Sequence, residues 1–203
     1  MTKRLIIAID GPSGAGKGTV SRTLSEHLGY RHIDTGAMYR AVAWKAGMEG
    51  IALDDEQTVA ALARRAVLVV EGGVVSVDGY DVTREIRTPE MDQAAAAVAR
   101  LPKVRQILVE RQRKEGASGG VVMEGRDIGT VVFPDADVKI YLDATPEERA
   151  RRRANDPAHT GSQAGQAAVA AAIQARDKSD TTRAASPLTV AADAVQIDTT
   201  GMP

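Results

Sequence analysis

Near the start of the chain, Gly11-Pro12-Ser13-Gly14-Ala15-Gly16-Lys17-Gly18-Thr19 has the residue types of a phosphate cradle. Glycines let a backbone turn its N–H groups inward around an anion. A helix beginning behind such a loop adds the partial positive charge of its N-terminus. Lys17 then reaches the outer phosphates of a nucleoside triphosphate. Gly11, Gly16 and Lys17 fit the G-x-x-x-x-G-K pattern, but the position after the lysine is Gly18 and the hydroxyl comes one later, at Thr19. The nine residues are expected to bind ATP. Thr19 is expected to help hold Mg2+, directly or through water.

Further candidate chemistry is dominated by arginine. Arg40 ends Asp34-Thr35-Gly36-Ala37-Met38-Tyr39-Arg40 and is either an anion ligand near a helix start or a solvated charge. Arg105 reads alike. Arg126 and Asp127 stand in Glu124-Gly125-Arg126-Asp127-Ile128-Gly129-Thr130, just past an apolar run, where ligands bind in open α/β sheets. Arg149, Arg152 and Arg153 share a helical face, suited either to phosphates or to nearby acids. Arg176, Asp180 and Arg183 share another, where a plain ion pair is the alternative. His27, His32 and His159 show no ligand-like spacing. One lysine and many arginines at the ends of different elements suit phosphoryl transfer, in which catalysis is mostly positioning and charge stabilisation. That charge role falls to Lys17, Arg126, Arg152 and Arg153.

These groups need a scaffold. Leu5–Ile9, Val121–Met123, Val138–Leu142 and Ala194–Ile197 read as short buried strands with helical patterns between them. The alternation predicts an α/β fold, a parallel sheet with helices on both faces. Val20–Leu28 reads as the helix after the phosphate loop. Val67–Val82 carries Gly72-Gly73 and Asp78-Gly79 between valine-rich runs, which predicts a small antiparallel meander. Thr88-Pro89-Glu90 opens a helix running to Arg100, and another follows over Val104–Glu115. Thr145-Pro146-Glu147-Glu148 is a capping box. Asp156–Gly165, polar and set between arginine-bearing helices, is either a moving lid or a surface loop.

Composition narrows the function. The 203 residues are 43% hydrophobic, enough for one sizeable core, and only 3% aromatic, so that core is aliphatic. A net charge of −1 gives no long-range pull on nucleic acid or anionic membrane. The chain has no cysteine, hence no disulfide or thiolate metal site. No run approaches membrane-spanning length, so a cytoplasmic location is expected. A guanine-reading Asn-Lys-x-Asp is lacking, which argues against a nucleotide switch. A P-loop kinase for another small acceptor stays open on the residues alone.

The Lys-Gly-Thr ending resembles nucleoside monophosphate kinases. Asp10–Thr19, Asp34–Arg40, Glu85-Ile-Arg-Thr88, Glu124–Asp135 and Arg176–Arg183 together resemble bacterial cytidylate kinases over essentially the whole chain. The resemblance implies an adenylate-kinase-like, three-layer P-loop fold over 1–203: a five-stranded parallel core, a nucleoside monophosphate-binding insert at about 38–105 and a lid at about 149–183. It implies a monomer moving the γ-phosphoryl of ATP onto CMP or dCMP with Mg2+. It places the acceptor phosphate near Lys17, Arg40 and Arg126. The cytosine falls near Thr35, Arg105, Asp127 and Arg183, and the sugar near Arg176 and Asp180. Ala96 stands where the family usually has a base-contacting serine, and Gln93 where it has asparagine. The family also continues into a helix past Thr200-Gly201-Met202-Pro203, a difference expected to touch stability more than chemistry.

Overall fold

The computed structural model describes residues 3–156 and 165–202. Five parallel strands run in the order β2-β6-β1-β7-β8: β1 (Ile6–Asp10), β2 (Arg31–Asp34), β6 (Val121–Gly125), β7 (Val138–Asp143) and β8 (Val195–Asp198). Successive side chains of a strand face opposite ways. Ala8, Ile33, Val121 and Met123 accordingly join one buried cluster. Ile7, Ile9, Val122 and Leu142 join another.

The first cluster packs on α2 (Thr35–Met48), α3 (Glu56–Arg65), α4 (Pro89–Val98) and α5 (Pro102–Gly116). The second meets Ala15 of the phosphate loop and Leu24 of α1 (Lys17–Leu28). Burial on both faces is the arrangement expected of a parallel sheet. The meander forms as anticipated: β3 (Leu68–Glu71), β4 (Val74–Val77) and β5 (Tyr80–Asp81) make a separate antiparallel sheet. Val75 and Val77 point inward with Val82, Ile86, and Ala37 and Ala41 of α2.

Three elements were not read from the sequence: α3, β2 and a turn past β6. β2 was not anticipated, because Arg-His-Ile-Asp has one buried residue, Ile33, and owes its strand form to pairing with β6 at the sheet edge. Past β6 the chain makes a π-helical turn over Ile128–Val132, for which the sequence offers no reading. The last helices are α6 (Pro146–Ala154), capped by Thr145 as its sequence predicts, and α7 (Gln166–Thr182). The loop Asp156–Gly165, apart from its two ends, lies outside the described residues.

Candidate active site

The phosphate loop leaves β1 at Asp10 and enters α1 at Lys17. Two of its glycines are needed for their conformation and clearance. Gly11 has φ +147°, and a Cβ there would lie 2.0 Å from the Leu142 carbonyl oxygen. Gly14 has φ +81° and sits against the Arg149 backbone, where a Cβ would lie only 2.8 Å from the Arg149 carbonyl oxygen. Asp10 is buried, and its carboxylate accepts from the N–H of Ile128 at 2.8 Å and of Gly129 at 2.7 Å. Burial pushes its pKa up to about 6 despite those two hydrogen bonds.

Lys17 is also buried and donates to the Pro12 carbonyl at 2.6 Å. Burial, followed by the charge of Arg126, lowers its pKa to about 7. An anion in the cradle would restore the ordinary ammonium, so the lysine is poised for phosphate.

Above the loop lies a cleft of ≈ 730 Å³ bordered by Ser13 to Thr19 together with Arg40, Arg126, Arg152, Arg153 and Arg176. The chain thus brings its lysine and five predicted arginines to one space. Each guanidinium is held by an acid: Arg40 by Asp34 at 2.8 Å, Arg126 by Asp180 at 2.9 Å, Arg152 by Glu148 at 2.8 Å, and Arg176 by Asp92 at 2.8 Å. Arg153 pairs with Asp92 as well. Arg149 departs from its two helical companions. It is buried beneath the loop, donating to the carbonyls of Ala144 and Ser13 and pairing with Asp177 at 2.5 Å.

The remaining predicted residues form a second, closed group beyond β6. Arg105 and Asp127 are a buried ion pair, with Arg183 3.8 Å from the same carboxylate and Tyr39 beneath the Arg105 guanidinium at 5.4 Å. Asp180 bridges Arg126 and Arg183, linking this group to the cleft. Burial would raise the Asp180 carboxyl, but Arg126, Arg176 and Arg183 outweigh it and hold it below its usual value. Burial and the neighbouring Arg105 lower the Arg183 pKa. Thr35 donates its hydroxyl to the Glu124 carbonyl at 2.7 Å and so helps build the site's floor. Gly11 and Pro12 shape the loop from behind without bordering the cleft.

Sequence reasoning missed Glu124 and His32 as cleft residues. Their side chains meet at 2.8 Å, and Glu124 lies 3.6 Å from where a Gly18 Cβ would be. The signal for Glu124 was its place at the end of a core strand. His32 had none, since β2 was not foreseen. Arg87 borders the cleft too, from the motif ending at Thr88.

A phosphate loop between the first strand and first helix, five parallel strands and an arginine-filled cleft define a P-loop phosphotransferase. The chain belongs to the cytidylate kinase family, whose model matches residues 7–203. The cytidylate kinase of Pelotomaculum thermopropionicum is 55% identical over 204 residues, covering 97% of this chain and 89% of that one. The cytidylate kinase of Desulfitobacterium hafniense is 50% identical over 205 residues, covering 100% and 88%. A gluconokinase structure from Sinorhizobium meliloti 1021 superposes with a TM-score of 0.50 at 15% identity, over 98% of this chain and 84% of that one, a likeness of fold alone.

Proposed function

We propose that this protein phosphorylates CMP, and dCMP, from ATP by in-line transfer of the γ-phosphoryl group, in pyrimidine nucleotide metabolism. The observation that carries the reading is the direct linkage of two sites. The phosphate cleft and the Arg105–Asp127–Arg183 group share Asp180 and the Arg126–Asp127 dipeptide. A nucleotide needs that layout, with anion ligands at one end and a base reader at the other.

In this reading Gly11 to Thr19 wrap the ATP phosphates, and Lys17 meets the transferring group. Arg126, Arg152 and Arg153 stabilise the charge that spreads over its oxygens, the main source of catalysis in phosphoryl transfer. Arg40 orients the acceptor phosphate, whose own oxygen is the nucleophile, so no side chain need attack. Asp127 accepts from the cytosine amine, and Arg105 and Arg183 donate to the ring acceptors. Arg176 and Asp180 hold the sugar. Ala96 offers no hydrogen bond where the resemblance has serine, so Asp127 and the arginines carry the base reading.

Among the described residues no three His, Cys, Asp or Glu side chains gather as a metal cage. Thr19 and Glu124 nevertheless border the cleft together. One hydroxyl and one carboxylate suit Mg2+, which keeps several waters and is held largely by substrate phosphates. Mg2+ held there would neutralise charge on the substrate phosphates. No described helix is long and apolar enough to cross a membrane. We assign the protein as a cytoplasmic monomer, one P-loop domain with an acceptor-binding insert at about 38–105 and a lid at about 149–183.

A coupled assay of ATP-dependent transfer to CMP, dCMP, UMP and AMP tests the assignment. CMP and dCMP should show the highest kcat/KM. A preference for UMP or AMP would overturn it.

A further inference from the structure

Helix α4 and helix α7 face each other across a cavity of ≈ 440 Å³, walled by small and aliphatic residues such as Ala96, Ala172 and Ile173. Side-chain packing therefore leaves a gap between them. What crosses it is polar. Asp92, in the first turn of α4, lies 2.8 Å from Arg176 of α7 and pairs with Arg153 of α6. It also stands 3.6 Å from Arg40 of α2, whose nearer partner is Asp34. At the far end of α4, Arg100 reaches Ser179 of α7 at 3.4 Å.

Asp92 itself borders the apolar cavity, whereas Arg153 and Arg176 border both that cavity and the phosphate cleft. The carboxylate thus holds two guanidiniums that also border the cleft. A guanidinium has five donors, enough for a carboxylate on one side and a phosphate on the other. Side chains held this way lose less freedom when a substrate arrives.

We propose that Asp92 is a positioning residue that joins the acceptor-side helix α4 to α6 and α7, so that order imposed on the arginines by ATP passes to the acceptor side. The proposal rests on the phosphoryl-transfer reading. It gives the two substrates a physical route of coupling: one carboxylate shared by guanidiniums from separate elements. Because a gap separates much of α4 from α7, that ionic tie is one of the links that remain between them.

Amide hydrogen exchange with and without a non-hydrolysable ATP analogue tests the link without any acceptor. In the unaltered protein the analogue should slow exchange in the loop and α1, and also in α4, by about tenfold, within the usual range of coupling between sites. In Asp92→Asn the slowing at the loop and α1 should persist while that in α4 falls below twofold. Asp92→Glu, which restores the charge, should recover part of it. Arg153→Gln severs the tie from α6 but leaves Arg176 on Asp92, and should give a partial loss, so the test does not depend on one variant folding. Undiminished slowing in α4 in Asp92→Asn or Arg153→Gln overturns the proposal. A wrong acceptor assignment appears instead in the CMP, UMP and AMP comparison and leaves this result unaffected.

Discussion

Lys17 and Asp127 show how burial sets the chemistry of single residues. With its pKa lowered to about 7, Lys17 is mostly neutral at pH 8 in the free protein. Polyphosphate beside it favours the charged form. Binding ATP at pH 8 should therefore take up a substantial fraction of a proton. Calorimetry in buffers of different ionisation enthalpy reads this uptake directly, and a buffer-independent heat would refute it. Asp127 makes a separate prediction. An ionised carboxylate only accepts, which suits the cytosine amine and opposes the uracil carbonyl, whereas an amide serves either. Asp127→Asn should lower the CMP/UMP ratio of kcat/KM by about tenfold or more, roughly 1.4 kcal/mol. An unchanged ratio would mean that the base is read elsewhere. The residue types of the site were legible in the sequence because a phosphate loop is local: spacing alone carries it. The pairings were not. Arg105 with Asp127, Arg126 with Asp180 and Arg153 with Asp92 join positions tens of residues apart, and nothing in the one-dimensional pattern selects those partners.

At the scale of elements, Asp10 ties a core strand to the turn beside the site. It ends β1, and through two backbone N–H groups it fixes the π-helical turn that follows Asp127. Asp10→Ala would leave both donors buried and unmade, at about 1–3 kcal/mol each. Urea unfolding should show a loss of that order, and Asp10→Asn, which keeps one acceptor, a smaller one. A loss under about 0.5 kcal/mol in Asp10→Ala, the range of an ordinary surface change, would contradict this. The pKa of Asp10 adds a pH signature. Its folded value of about 6 exceeds the unfolded 3.8, so the part of the stability linked to its protonation is fully present below pH 3.8 and lost as pH rises through 6. Both substitutions should remove that slope. The meander, α4, α5 and α6 were readable from turn pairs, prolines and caps. β2 was not, because an edge strand with one buried side chain lacks the alternation that marks strands. The turn at Ile128–Val132 was hidden for another reason: its shape depends on Asp10, 118 residues away in the chain.

For the molecule as a whole, the order of strands sets a timetable for its making. β1 lies at the centre of the sheet, yet its partners are β6 and β7, and β2 pairs with β6 alone. Until Val121–Gly125 has been synthesised, neither early strand has a neighbour. At roughly 5–20 residues per second, the ~110 residues between them take roughly 6–20 s to emerge. Through that interval the Ile6–Asp10 strand is an unpaired apolar edge, while the meander, whose strands are adjacent in sequence, can already close. The phosphate loop, backed by Leu142 and Arg149, takes its final shape after both exist. A nascent chain able to hold a nucleotide has therefore already assembled the middle of its sheet, and nucleotide capture during synthesis marks the arrival of its second half.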